Sequence, residues 1–269
     1  IAWRRQAITR LGEKFCQEYP EDDISAFLSS GSPYFSSASL RELLLDCKPP
    51  SIYAPWSTWR LPYLGGTYLI GADVGGGGTA RDPEGVEESD RSAATVLDCT
   101  RGKNEFVASV SSVLPPDKFA GQLNDLGRAY NNAMLVIEKN SGFGQWVIDK
   151  LLEIGYPNIA MFQRHTGKWD YGWVTSAGNK PALLSEFHEA LQGRIFTTWD
   201  QELINELLNI VNTKTPMGTH KIGAISGHDD LAMATMIAWF NRSLALSHTI
   251  NLKPYNILER RTYARQSAY

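Results

Sequence analysis

The chain has 269 residues, of which 43% are hydrophobic and 20% charged, and this composition is ordinary for a globular protein with a sizeable core. The formal net charge of −3 argues against a surface that is basic overall, as many nucleic-acid-binding proteins have. No run of about 18 apolar residues is present, so the sequence predicts no membrane span.

The first 62 residues predict an arm that leads into the main domain. Helical patterns over 3–19 and 39–46 are followed by a proline-rich connection that ends at residue 62. The sequence starts without Met and without a secretory pattern, and its three cysteines have no paired spacing. We therefore expect a piece of a longer intracellular chain with reduced thiols.

Residues 63–250 predict one α/β domain. Strands are predicted over 67–73, 92–100, 104–110, 133–138 and 159–164. Helices are predicted over 115–131, 141–155, 181–193, 200–211 and 228–246. Loops are predicted after the first strand, over 165–180, and over 213–227, where a hairpin is the alternative. The order β-β-β-α-β-α-β, followed by helices, predicts an RNase H-like fold with a mixed central sheet and helices on both faces. The tail, 251–269, is predicted to be poorly ordered.

Acidic residues stand where two predicted strands end and where the last helix begins. Asp73 closes the first strand, Glu138 closes a strand that is apolar throughout, and Asp229 and Asp230 open the helix. Carboxylates that converge repel one another unless cations lie between them. Mg²⁺ or Mn²⁺ prefers such oxygen ligands, and two ions about 3.5–4 Å apart can act on a phosphodiester. The four acids therefore predict a site for two divalent cations.

Each acid also has a plainer interpretation. Asp73 can be a turn or cap residue, Glu138 can be a salt-bridge partner, and the helix dipole alone favours Asp229 and Asp230. Adjacent residues of a helix differ by about 100°, so these two acids point differently and the sequence does not choose between them. We interpret His228 as the entry to the helix.

Four stretches of the sequence form a recognisable series, namely LIGADVGGGG, SDRSAATVLD, LVIEKNSGFGQWVIDKL and GHDDLAMATMIAW. Through them, and over about residues 10–245, the sequence resembles one family, the nuclease domain of the large terminase subunit of tailed, double-stranded DNA bacteriophages. The resemblance implies an RNase H-like endonuclease that cuts viral DNA concatemers during genome packaging. It also implies that two Mg²⁺ or Mn²⁺ ions are bound by Asp73, Glu138 and one or both of Asp229 and Asp230, the catalytic residues.

The resemblance further implies several partners. They are double-stranded DNA, an ATPase domain of the full-length chain, the small terminase subunit and the portal protein, with no membrane. The expected location is the cytoplasm of the infected bacterial host, and transiently the procapsid portal. No GxxxxGK[ST] loop is present, and the glycines at 75–78 lack the Lys and Ser or Thr of such a loop. We therefore expect the nuclease without the motor, and we interpret these glycines as a flexible exit from the strand.

Basic residues in the loops near the expected site are candidates for phosphate contacts, namely Lys139, Arg164, Lys168, Lys180, Lys214 and Lys221. Trp169, Tyr171 and Trp173 interleave with them and either contact DNA or pack on the domain. The net charge predicts weak intrinsic affinity for DNA. Three alternatives remain open: a resolvase-like or transposase-like nuclease of the same fold, an actin-like or sugar-kinase-like ATPase, and a non-catalytic docking module of the packaging motor.

Overall fold

The computed structural model describes residues 3, 32–81, 87–164, 166–214, 220–224 and 228–250. The predicted helix over 3–19, apart from Trp3, and the predicted tail over 251–269 lie outside these residues.

The described residues form short strands and seven longer helices. The strands are β1 (Ser32–Pro33), β2 (Ser57–Thr58), β3 (Tyr68–Asp73), β4 (Thr79–Arg81), β5 (Glu87–Ser89), β6 (Ser92–Asp98), β7 (Glu105–Ser112), β8 (Met134–Ile137), β9 (Met161–Gln163), β10 (Trp169–Tyr171), β11 (Ile210–Lys214) and β12 (His220–Ala224). The helices are α1 (Ser37–Asp46), α2 (Pro116–Ala129), α3 (Phe143–Ile154), α4 (Lys180–Gln192), α5 (Gln201–Asn209), α6 (Asp230–Phe240) and α7 (Arg242–Ile250).

A mixed five-stranded sheet in the order β2-β7-β6-β3-β8 forms the centre of the fold. β3, β6 and β7 are the predicted antiparallel meander, and β8 joins the other side of β3 in parallel. All four residues of β8 are buried, as expected for a strand covered on both faces. The predicted element order through β8 and α3 is therefore confirmed, and the fold is RNase H-like α/β.

Helices cover both faces of this sheet. Leu69 of β3 belongs to a hydrophobic cluster with residues of α1, α4, α5 and α6, whereas Ile70 belongs to a second cluster with residues of α2 and α3. This alternation follows from the two-residue period of a strand. None of the helices in the described part of the chain is long and apolar enough to cross a membrane.

Part of the predicted arm is integrated into this body. β1 pairs with β11, and β2 pairs with β7 at the edge of the main sheet. Helix α1 buries Leu40 and Leu43 in the cluster that it shares with α4, α5 and α6. Two-residue strands carry no periodicity, and their partners lie far away in the chain, so the sequence did not reveal this packing. The division of the chain at residue 62 remains a prediction.

Two of the predicted loops contain hairpins. β4 pairs with β5 after the glycine stretch, and β9 pairs with β10, so the strand predicted over 159–164 lies mostly outside the main sheet. Only Ile159 bridges Leu135 of β8. The β11–β12 pairing confirms the hairpin alternative for 213–227 in its described residues.

Candidate functional site

Asp73 and Glu138 are neighbours because two parallel strands end at the same edge of the sheet. Asp73 is the last residue of β3 and pairs with Ala93 of β6. On the other side, the Glu138 N–H directly after β8 donates a hydrogen bond to the Ala72 carbonyl oxygen at 2.8 Å. Ligand sites of open α/β sheets lie outside such carboxyl ends. Glu138 is 9% exposed and Asp73 is half-buried.

Helix α6 brings two further acids to the same edge. Asp230 is its first residue and Asp229 is its N-cap. The helix packs across β3 and β6, and Gly71 of β3 permits a direct backbone contact. A Cβ atom added at Gly71 would overlap the Ala234 carbonyl oxygen and would lie 2.6 Å from the Ala238 nitrogen.

The four acids act on one another electrostatically. Burial raises the pKa of Asp73 well above its usual range, and the charge of Glu138, a hydrogen bond with Glu138 and the charges of Asp230 and Asp229 raise it further. Burial also raises the pKa of Asp230 to about 6, although His228 opposes this shift. The structure thus brings the four predicted acids together, while their assignment as metal ligands and catalytic residues remains a prediction.

This donor set fits hard divalent cations. Its members are carboxylates, the ligand type that Mg²⁺ and Mn²⁺ prefer. Asp230 Oδ2 is buried, lies 3.3 Å from His228 Nδ1, and accepts no hydrogen bond from the residues that the structure describes. Over the same residues, no three His, Cys, Asp or Glu side chains already have the geometry of a metal site. The charge and the ligand type therefore indicate a cation site, whereas the described side chains are not spaced as they would be around a bound ion.

Gly75, Gly76 and Gly77 after Asp73 are closely packed and only Gly78 is open, which corrects the predicted flexible exit. The Gly76 N–H donates to Asp90 Oδ2 at 2.6 Å, and the Gly77 N–H donates to the Asp90 carbonyl oxygen at 3.0 Å. A Cβ atom added at Gly75 would overlap the Arg91 carbonyl oxygen. Glycine is needed here because the backbone segments approach closely, and the contacts fasten the β4–β5 hairpin beside the site.

Two of the predicted DNA-contact residues form ion pairs within the structure. Lys139 Nζ lies 2.5 Å from Asp170 Oδ2, and Arg164 Nη2 lies 3.3 Å from the same oxygen. Lys139 also donates to the Gln145 side chain at 3.2 Å. One carboxylate thus pairs with both cations and offsets only part of their charge, which makes them the weaker candidates for phosphate contacts.

The remaining predicted contacts differ in exposure. Lys168 and Lys221 are exposed, Lys180 is half-buried at the start of α4, and the side chain of Lys214 lies outside the described part. Among the aromatic candidates, Trp169 is 62% exposed, Tyr171 is half-buried, and Trp173 is buried against Phe162 and Phe240. Lys168, Lys221 and Trp169 therefore remain the accessible candidates.

Sequence reasoning missed Glu206. This residue of α5 is 7% exposed, and its Oε2 accepts the Ala232 N–H of α6 at 2.8 Å. Burial raises the pKa of Glu206 to about 8, although the Ala232 hydrogen bond opposes the shift. Glu206 and His228 line a cavity of about 440 Å³ beside the acids. The feature of the sequence that could have indicated a buried acid is that Glu206 lies on the face of α5 that otherwise holds Leu203 and Leu207.

No protein-family model and no curated protein matches this sequence. Solved structures do match. The large terminase nuclease from thermophilic phage G20c is 19% identical, with 77% of this chain and 97% of that chain covered and a TM-score of 0.57. The same nuclease with bound magnesium is 19% identical, with 77% of this chain and 96% of that chain covered and a TM-score of 0.58. The large terminase nuclease domain of Thermus phage P74-26 is 20% identical, with 76% of this chain and 93% of that chain covered and a TM-score of 0.57. At these identities the likeness establishes a shared fold, and the predicted fold class is confirmed.

Proposed function

We propose that this chain is a divalent-metal-dependent endonuclease that cuts double-stranded DNA. The observation that carries the proposal is the convergence of Asp73, Glu138, Asp229 and Asp230 at one edge of the sheet. The same fold occurs in large terminase nucleases. Neighbouring carboxylates raise the pKa of Asp73, so the site is suited to cations, and phosphodiester hydrolysis is a reaction that clustered cations serve.

The roles of the residues follow from their positions. Asp73 and Glu138 are fixed by adjacent strands, so they form the rigid half of the site. Asp229 and Asp230 are carried by α6 and complete it. Bound Mg²⁺ or Mn²⁺ ions would stabilise the charge that develops on the attacking and leaving oxygens of a phosphodiester. The G20c nuclease was solved with bound magnesium, with bound cobalt and with bound zinc, which supports a divalent cation at this site.

The biological substrate in this proposal is concatemeric viral DNA, cut during genome packaging. The proposed partners are the ATPase domain of the full-length chain, the small terminase subunit and the portal protein, in the host cytoplasm and transiently at the portal. The net charge of −3 supports weak DNA binding by this chain alone. Stoichiometric, salt-resistant DNA binding by the isolated chain would contradict that part of the proposal.

The first experiment is cleavage of supercoiled plasmid by the wild type in EDTA, Mg²⁺ or Mn²⁺, beside Asp73→Asn and a matched control. The control is Asp98→Asn, because Asp98 is also a buried acid at a strand end, but it lies at the opposite end of the sheet and binds Tyr63 and Thr100. We expect metal-dependent nicking and linearisation by the wild type and the control, and none by Asp73→Asn.

Three outcomes would count against the proposal. Cleavage in EDTA, or cleavage by Asp73→Asn at the wild-type rate, would show that the acids do not form the reaction centre. Absence of cleavage by the folded wild type with either ion would favour the non-catalytic docking module. A parallel reaction on a four-way DNA junction separates the resolvase alternative, which predicts preference for the branched substrate.

A further inference from the structure

The start of α6 departs from the ordinary way in which an aspartate begins a helix. An N-cap Asp normally accepts a backbone N–H from the second or third helical residue. Asp229 occupies the N-cap of α6, but its side chain makes no such hydrogen bond. Its backbone carbonyl oxygen accepts the Met233 N–H at 2.8 Å, so the helix begins regularly.

A side chain from α5 accepts the hydrogen bond that the N-cap residue of α6 would ordinarily accept. Ala232 is the third residue of α6, and its N–H donates to Glu206 Oε2 of α5 at 2.8 Å. Glu206 is buried, and both helices contribute to one hydrophobic cluster. A buried acceptor that satisfies a helix N-terminus fixes the position of that terminus relative to its own helix.

Helix α5 provides an internal comparison. Its N-cap, Asp200, accepts the N–H groups of Glu202 and Leu203 through its own Oδ1, at 2.9 and 3.4 Å. An aspartate thus caps its own helix in α5, whereas in α6 the N-cap aspartate does not and Glu206 of α5 provides the acceptor. The difference is that the charge of Asp229 acts on Asp73, whereas Asp200 is not among the acids whose charges act on Asp73.

We propose that Glu206 is a positioning residue that caps α6 in place of Asp229 and so keeps the Asp229 carboxylate available to the site. Without the Glu206 acceptor, the Ala232 N–H has no buried partner, and Asp229 is the nearest side chain able to cap it. A capping Asp229 turns its carboxylate toward its own backbone, which changes the position of that charge relative to Asp73. This inference rests on the proposed function, since it concerns the same cation site.

The test compares two variants of Glu206 that are similar in size. Glu206→Gln keeps a side-chain oxygen acceptor, and Glu206→Met removes it. Mn²⁺ affinity is measured by titration calorimetry without DNA, and hydrogen exchange of the Ala232 amide is followed by NMR in EDTA. Ser36→Ala is the control, because it removes the cap of α1, a helix that carries neither Glu206 nor any of the four acids.

We expect Glu206→Met to weaken Mn²⁺ binding at least about tenfold and to expose the Ala232 amide to exchange. Glu206→Gln should remain close to the wild type in both measurements. Ser36→Ala should lower the thermal midpoint but leave Mn²⁺ affinity unchanged, which separates positioning from general stability. Should Glu206→Met fail to fold, Glu206→Ala is measured in its place.

Wild-type Mn²⁺ affinity in folded Glu206→Met would overturn the positioning role. Equal losses in Glu206→Gln and Glu206→Met would also overturn it, because the charge would then matter and the acceptor would not. If the wild type does not bind Mn²⁺ at all, the proposed function fails and the positioning role fails with it. That case can be recognised because hydrogen exchange of the Ala232 amide still measures whether Glu206 caps α6 when no cation binds.

Discussion

At Gly71, the strand that carries one acid and the helix that carries two others touch through their backbones. Gly71→Ala adds a Cβ atom that overlaps the Ala234 carbonyl oxygen and lies 2.6 Å from the Ala238 nitrogen. Both obstacles belong to the backbone of α6, so no side-chain rotation relieves them. The helix must move away from β3 or the strand must bend.

The size of the effect follows from these distances. Carbon atoms in contact are ordinarily separated by about 3.5–4.0 Å, so α6 must shift by roughly 1 Å. Overpacking of this kind costs about 1–3 kcal/mol in the free energy of unfolding. For a chain of this size, each kcal/mol lowers the thermal midpoint by about 2–4 °C. A displacement of about 1 Å at a reaction centre can reduce the rate about 100-fold, and Asp229 and Asp230 move with the helix.

The assay combines thermal unfolding in EDTA with plasmid cleavage in Mg²⁺. Gly121→Ala is the matched control, because an added Cβ atom at this position in α2 meets nothing within 4 Å. Alanine there is expected to stabilise the helix by about 0.5–1 kcal/mol and to leave cleavage unchanged. If Gly71→Ala matches Gly121→Ala in stability and cleavage, the direct contact of α6 with β3 does not position the site.

Three further predictions follow from the charged groups. Asp73→Asn should abolish cleavage and yet raise the thermal midpoint in EDTA, because it removes one of several like charges from a buried cluster; a lower midpoint would contradict this. Burial raises the pKa of Asp200, so the folded chain binds the Asp200 proton more tightly than the unfolded chain does. The free energy of unfolding therefore falls as the pH rises from 3.8, the ordinary pKa of this side chain, toward its pKa in the folded chain. Asp200→Asn keeps a capping residue and should flatten this slope in urea titrations at several pH values, whereas an unchanged slope would refute the assignment. Lys168→Ala and Lys221→Ala should each weaken DNA binding and reduce its salt dependence by about one phosphate contact, and fluorescence anisotropy at several salt concentrations measures both. Lys139→Ala should instead mainly lower the thermal midpoint, because it removes the ion pair with Asp170.

The sequence was sufficient for four of the five central strands and for the positions of the acids along the chain, whereas their role as site residues remains a prediction. β3, β6 and β7 are rich in apolar or β-branched residues, and β8 is apolar throughout, so their patterns are strong and local. An acid that directly follows such a strand lies at its carboxyl end, and this placed Asp73 and Glu138 correctly. The order of the elements then brought the start of the last helix to the same edge.

The sequence could not reveal contacts that depend on partners far apart in the chain. Strands β1 and β2 have two residues each and are defined only by β11 and β7. The β9–β10 hairpin replaced a predicted sheet strand because its two short segments pair with each other. Lys139 and Arg164 were expected near DNA, but whether a lysine binds phosphate or a carboxylate such as Asp170 depends on tertiary geometry.

Small residues determine how closely the acids can approach. Gly71 admits α6 to the backbone of β3, and a Cβ atom added at Gly144 would overlap the Glu138 carbonyl oxygen, so α3 begins directly against the second acid. A glycine within an apolar strand or in the first turn of a helix has no distinctive pattern. Its role appears only when the opposing backbone is known. The carboxylates supply the chemistry of the proposed site, but Gly71, Gly144 and the Glu206 cap determine whether they converge.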